Sequence, residues 1–494
     1  RTAGRIPFPD GISAPRRERT VSSICLPTLE TGDRTLDRAW RLALDDLASN
    51  IAPHRAGLLE KARPVLLAGL DYDRPWTRDA AINVWNGAGL LAPRVARDTL
   101  LSVLTCEGGV LCIGGQYWDA IIWVSGAWAH YLYSGDREFL VLALEATANS
   151  LAHFEATEFD AEIGLFRGAA CYGDGVAAYP GVYARPGDFS GILQWPERNP
   201  EEAARPGCGL PMHALSTNCL YARAYELAGR MAGELGREPD AAWPEKAAAL
   251  RRAVDRHFWM PEADRYRYLV DPFGGCEHQE GLGHAFAILF GVASEAQAAA
   301  VLESQHVARW GIPCVWPVFE RYRKTEGAVG RHCGTIWPQV QGFWAEACAR
   351  TGRADLFAAE MHRLAELAVR SGEFREIYHP DSGEPVGGEQ EGRATPWRSC
   401  RRQTWSATAY LRMVLMGLLG LRFEPDAVRF EPSVPDGLGR VRLAGLPWRG
   451  ATLEITIEGS GHHIKTCRVN GELLPSPALP VDASGPQHVE ITLS

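Results

Sequence analysis

The 494-residue chain has no C-x-x-C pair, no dense run of Lys or Arg, and no apolar stretch approaching the roughly 18 residues of a membrane span. Each absence removes a class of protein. The 12 cysteines are scattered singly, so neither a zinc ribbon nor a thioredoxin-type motif is suggested. In so long a chain they read as reduced, buried thiols, and a cytoplasmic location is expected. The 51 Lys and Arg against 60 Asp and Glu leave a net charge of −9. The basic cluster Arg398-Ser399-Cys400-Arg401-Arg402 is too short to grip a phosphate backbone, so nucleic acid is not an expected partner. No membrane association is expected either, although a chain beginning with Arg1 is compatible with a removed leader. His278 and Glu280 are neighbouring metal-ligand types, but two groups do not make a site, and no metal or cofactor is expected.

What is present is apolar residue at helical spacing. Hydrophobic residues make up 46% of the chain, enough for a large core, and the length exceeds the roughly 100–200 residues of an ordinary domain. Residues 1–33, rich in Pro, Gly and Arg, read as an N-terminal extension. From 34 to about 420 the helical period recurs, over 34–50, 80–105, 118–133, 138–152, 216–235, 243–258 and 343–349. Short turns such as Ser134-Gly135-Asp136 and Thr351-Gly352-Arg353 separate consecutive segments. Eleven or twelve helices in hairpins suggest a ring of six pairs, a mainly α chain built as an (α/α)6 barrel; a stacked solenoid fits the same repeat. Long Gly/Pro/aromatic stretches at 105–117, 164–211, 271–281, 311–335 and 371–402 fall between the hairpins, and loops of that length imply function. Over 421–494 the period changes to two, with Pro-Asp-Gly, Gly-Ser-Gly and Asn-Gly turns, predicting a small antiparallel, β-sandwich-like domain that covers one end of the ring.

Five clusters carry chemistry. Asp71 through Asn83 holds Trp76, Arg78 and Asp79 at a helix entry, where carboxylates accept and guanidinium donates to hydroxyls. Gly114 through Asp119 places Trp118 and Asp119 at another. Cys171-Tyr172-Gly173-Asp174-Gly175 puts a carboxyl between two glycines in a long loop, a pattern that equally suits a tight turn. Gly334 through Trp344 contains Trp337, Pro338 at a helix start, and Gln341; Trp337 and Gln341 are expected to face the open end. Gly372 through Gly383 contains Arg375 and Glu376 and leads to Trp397 and Trp405. With 16 tryptophans, some indoles are expected to stack on sugars and the rest to fill the core.

Taken in order, Gly334-Thr335-Ile336-Trp337-Pro338, then Glu376-Ile377-Tyr378-His379-Pro380-Asp381-Ser382-Gly383, then Trp405-Ser406-Ala407 resemble glycoside hydrolase family 63 and its trehalase-like relatives, inverting enzymes on six-hairpin barrels. The resemblance spans roughly residues 70–420. It implies that Glu376 is the catalytic base and that an Asp in an inter-hairpin loop is the acid. The chain lacks the family's G-W-D-x-S string, so the acid is a choice: Asp174 first, then Asp188, then Asp79. The implied function is exo-acting, inverting hydrolysis of an α-glucoside or α-mannoside, an oligosaccharide or small glycoside. Trp76, Arg78, Asp79, Trp118, Asp119, Tyr172, Trp337, Gln341, Arg375 and Trp397 are expected to hold the sugar, with Arg375 or Arg402 steadying the base. Three rivals stay open. A glycoside phosphorylase on the same fold needs a phosphate pocket in place of a base. A sugar 2-epimerase relies on paired histidines, for which His213, His278, His284 and His332 are available. A non-catalytic sugar-binding protein keeps only the Trp-lined pocket.

Overall fold

A computed structural model describes residues 25–185, 189–205, 207–392 and 397–494. Among these, six helices form an inner ring, each touching the next: Thr77–Asn83, Trp123–Ser134, Leu215–Glu234, Gly281–Leu289, Pro338–Arg350 and Thr404–Arg412. The last packs back on the first, so the ring closes and the repeat is a barrel, not a solenoid. Six more helices lie outside: Arg34–Ser49, Pro93–Leu101, Arg137–Glu158, Ala242–Phe258, Glu295–Ser304 and Ala354–Ser371. The two layers differ in their residues. Trp123 through Tyr133 are all buried, as befits a helix packed on every side. Arg34–Ser49 buries one stripe headed by Leu36, Trp40 and Leu44.

The period over 80–105 predicts one helix, and the structure divides it. The inner helix passes through a wide turn at Val84–Ala88, where Gly87 adopts φ 125°, and ends at Leu91. Pro93, which cannot donate a helical hydrogen bond, opens the outer helix Pro93–Leu101. Between neighbouring inner helices the backbones meet at glycine. A Cβ on Gly126 would stand 2.7 Å from Ala81 Cα.

Connections from inner to outer helices are short. Gly135 ends Trp123–Ser134 in the left-handed conformation, and Asp136 Oδ1 accepts from Phe139 N at 2.9 Å to start the next helix. Connections from outer to inner helices are the long loops, so they all gather at the N-terminal mouth of the inner ring.

The opposite end is capped by the C-terminal strands. Trp448 Nε1 donates to Leu132 O at 3.2 Å, and Phe423 meets Tyr133 edge-on at 4.8 Å. The main sheet runs Thr28–Glu30, Arg440–Trp448, Ala451–Glu458, Gly485–Leu493, Ile464–Val469 and Glu472–Leu473. Two details add to the expected strand pattern. Residues 28–30 of the N-terminal extension are an edge strand of this sheet, because Thr28–Glu30 pairs with Arg442–Ala444. The sheet is also mixed rather than purely antiparallel. The chain turns past a gap after Ala451–Glu458, and Gly485–Leu493 fills that gap parallel to it.

Inside the capped half lies a buried charge cluster. Glu346 pairs with Arg350 at 2.6 Å, with Arg412, and with Arg422 at 4.0 Å. Arg412 donates to Asn86 Oδ1 at 2.9 Å and lies over the rings of Phe343 (4.2 Å) and Trp85 (4.4 Å). Burial alone would raise the Glu346 pKa, but the three guanidiniums outweigh it and hold it at about 2.

Candidate active site

The mouth of the ring is assembled from the first turns of the inner helices and the loops before them. Arg78, on the first turn of Thr77–Asn83, organises one side. Its guanidinium donates to both oxygens of Asp174 (2.8 and 2.9 Å), to Asp119 Oδ2 (3.2 Å) and to Cys171 O (2.8 Å). The Gln116 amide nitrogen, turned toward the same groups, donates to Asp174 Oδ1 (3.1 Å) and Asp119 Oδ2 (3.2 Å). The Asp174 loop is pinned from beneath. Tyr179 OH donates to Gly173 O at 2.6 Å, and a Cβ on Gly173 would lie 2.1 Å from that hydroxyl. A Cβ on Gly175 would meet the Gln390 amide at 2.0 Å. Gly173 is therefore a packing requirement, and Asp174 keeps its side chain 46% open.

Glu376 organises another side. It is buried, and both oxygens accept: Oε1 from Tyr72 OH (2.9 Å), Oε2 from Arg331 Nη2 (3.1 Å) and Cys400 N (3.3 Å). Burial and the adjacent Glu376 charge push the Tyr72 phenol well above its usual pKa, so it stays a donor. Arg331 is itself clamped, with its guanidinium 4.4 Å from the Trp397 ring and 5.3 Å from the Trp337 ring.

Asp79 is electrostatically linked to both sides. Burial raises its pKa to about 7 against the pull of Arg78, and the charges of Glu376 and Asp174 add to the rise. Asp119 is likewise raised, by burial first. His332 lies nearly flat against Trp337 (4.6 Å, 16°) and Tyr172 (6.0 Å, 29°). Burial, with Arg331 and Arg78, holds its pKa well below 6.5, so the ring is neutral. Asp79 Oδ1, His332 Nδ1 and Trp405 Nε1 are buried polar atoms with no hydrogen-bond partner among the described residues.

The structure brings together Arg78, Asp79, Asp119, Asp174, Trp337, Glu376 and Trp397, with Tyr172 behind them as the wall against His332. Four sequence-based placements are corrected. Gln341 is fully buried and turns outward, donating to Trp310 O (3.2 Å) and Glu360 O (3.4 Å), because one turn into the helix the side chain faces the outer layer. Arg375 joins Arg401 and Arg402 around Glu373, and Arg331 takes the place at Glu376 foreseen for Arg375 or Arg402. Trp118 is fully buried, packed edge-on against Tyr117 at 5.2 Å. Trp76 points to an outer groove. Asp188 lies outside the described residues. Sequence reading also missed Tyr72, Gln116, Arg331, His332 and Trp405 as members of the site. All five stand within or beside the quoted motifs; what was lacking was the knowledge of which partner each would meet across the ring.

Among the described residues no three of His, Cys, Asp and Glu gather as metal ligands. His278 stacks on Phe319 at 4.8 Å, and Glu280 turns to Ser216 N at 3.0 Å. Glu280 is fully buried, and burial raises its pKa from 4.5 to about 8. The folded chain thus binds more protons than the unfolded one between those values, and stability falls as pH rises through that window. Asp46 and Asp79, each near 7, act in the same direction, are half titrated at pH 7 and are spent by about pH 8. Chemical unfolding across about pH 5–8.5 is expected to show the decline, and Glu280→Gln to flatten its last part, between about pH 7 and 8.

A closed ring of six helical hairpins, capped at one end and carrying a carboxylate-rich, tryptophan-lined mouth at the other, defines a glycoside hydrolase of the six-hairpin class. Residues 72–406 match the mannosylglycerate hydrolase MGH1-like glycoside hydrolase domain, and the chain belongs to that family. Its fold is shared with a GH63 mannosylglycerate hydrolase from Thermus thermophilus in complex with glucose, at TM-score 0.57 and 18% identity, covering 75% of this chain and 98% of that one. It is also shared with a sialidase (TM-score 0.63, 16% identity, 91% of this chain) and with a GH78 family rhamnosidase of a Bacillus species (TM-score 0.54, 14% identity, 95% of this chain). The chain spans only 40% and 44% of those two. No curated protein matches it by sequence.

Proposed function

We propose that the chain removes a terminal α-linked glucosyl or mannosyl unit with inversion, Glu376 activating the attacking water and Asp174 protonating the leaving oxygen. The observation that carries this reading is the pair of differently built carboxyl sites at one mouth. Glu376 is enclosed and held by three donors, as a base that must keep its aim requires. Asp174 is the open carboxyl among the three around Arg78, since Asp79 and Asp119 are buried, and an acid must reach the glycosidic oxygen. In an inverting site the two carboxyls stand roughly 6.5–9.5 Å apart to admit the water. Asp79, His332 and Trp405 offer partnerless acceptors and donors to the sugar hydroxyls, and Trp337 offers an indole. The barrel is closed below by the Glu346 cluster and the β domain, so a sugar can approach only from the mouth, which favours cleavage from the chain end. The family's description and the bound glucose of the Thermus structure favour a hexose.

The acid assignment is tested by leaving-group dependence. Asp174→Asn is expected to lower turnover of an alkyl glycoside by about 10²–10⁴ but that of a dinitrophenyl glycoside, which needs no protonation, far less. Asp79→Asn is expected to lower both equally. If only Asp79→Asn shows the leaving-group effect, Asp79 is the acid.

A further inference from the structure

The sequence places Trp76 in the sugar pocket, but the structure turns it to the other side of the pocket wall. There it lines an open groove of about 520 Å³, bounded by Leu58, Arg74, Ser102, Glu107 and Gly115. That volume is within the range of small-ligand sites. Trp76 keeps 37% of its surface exposed, one of few large apolar side chains to do so. Arg74 lies over its ring at 5.5 Å and is held by Asp73 at 2.9 Å, so the indole is braced. The wall is thin. Thr77 Oγ1 donates to Gly114 O at 2.8 Å, and a Cβ on Gly115 would meet Thr77 Oγ1 at 2.7 Å. The next residue along each segment, Arg78 and Gln116, binds Asp174 from the pocket side.

We propose that this groove is a binding site for a neutral pyranose unit, the leaving-group end of an oligosaccharide whose other end occupies the pocket. The chemistry of the lining fits a sugar: a braced indole for the C–H face, a guanidinium donor in Arg74, and the exposed Glu107 carboxylate as acceptor. The assignment to the leaving side rests on the reading of Asp174 as the acid, because an acid stands beside the departing oxygen and the groove adjoins the two residues that hold Asp174. A second anion is not what the groove asks for, since Arg74 is already paired and Glu107 would repel it.

The test compares Trp76→Ala with wild type on two α-glucosyl substrates and one binding probe. Glucosyl fluoride has no leaving sugar; maltotriose has two. Expected is a loss of about fivefold to tenfold in kcat/KM for maltotriose, the size of one aromatic stacking contact, with the fluoride changed less than about twofold. Maltotriose is also expected to shift the indole N–H resonance of Trp76 in the ¹⁵N-labelled wild-type protein. Equal losses on both substrates would overturn the proposal, since Trp76 would then shape the pocket itself. So would a Trp76 resonance unmoved by maltotriose or by an α-mannotriose control. If neither substrate is turned over but a trisaccharide still moves the resonance, the hydrolytic reading fails while the groove site stands.

Discussion

Glu376→Gln is expected to lower kcat by about 10²–10⁴ while the protein still folds, at a measurable cost in stability because the buried Arg331 loses its carboxylate partner. The substitution keeps the size of the side chain and one acceptor oxygen. Tyr72 OH can still donate to that oxygen, so the loop Glu376 sits on keeps its main contact. What is lost is the ability to take a proton from water. The amide nitrogen also faces Arg331 Nη2 or Cys400 N, donor against donor, and Arg331 is left with Gly387 O and the two indoles, so a drop in stability is expected but not unfolding. Because the base acts only in the transition state, KM is expected to change little. Steady-state kinetics with thermal unfolding as a control reads both quantities.

The largest effect on stability is expected from Glu346→Gln, about 3–5 kcal/mol in urea unfolding. Glu346 is the shared anion of Arg350, Arg412 and Arg422 inside the capped half of the barrel. Arg412 is almost entirely buried, wedged between Trp85 and Phe343, so it cannot move to water when its counter-ion is neutralised. Arg422 is already disfavoured as a cation, its pKa drawn down to about 10 mainly by burial, with Arg350 as a like neighbour. Arg412→Met is expected to cost less, because Glu346 retains Arg350 and Arg422 and the new side chain fills the aromatic slot. The order of the two variants distinguishes an uncompensated buried charge from simple loss of packing.

The fold was legible where a periodic pattern carried no proline and no glycine in the left-handed region. The helix predicted over 34–50 is Arg34–Ser49, that predicted over 216–235 is Leu215–Glu234, and the period of two over 421–494 marks the C-terminal strands. Legibility failed at 80–105, where Gly87 and Pro93 break an unbroken apolar period, and at residues 28–30, which are a strand only because Arg440–Trp448 offers an edge to pair with. The site was legible in its segments and less so in its directions. Arg78 and Asp79 are adjacent on the first helical turn and both face the mouth, whereas Trp76, two residues before Arg78, precedes the helix and points away. Gln341 follows Trp337 by four residues, yet Trp337 is the cap and Gln341 belongs to the helix face turned to the outer layer. Arg331 reaches Glu376 across 45 residues of sequence, a pairing set by the packing of adjacent hairpins and invisible to local pattern.

A water activated by Glu376 opposite an acid requires inversion at the anomeric carbon. Time-resolved proton NMR of the sugar released from an α-glucosyl or α-mannosyl substrate, recorded before mutarotation, tests this most directly. The β-anomer is expected to appear first and the α-anomer to grow in later; first release of the α-anomer would contradict the assignment of Glu376 as a base acting on water.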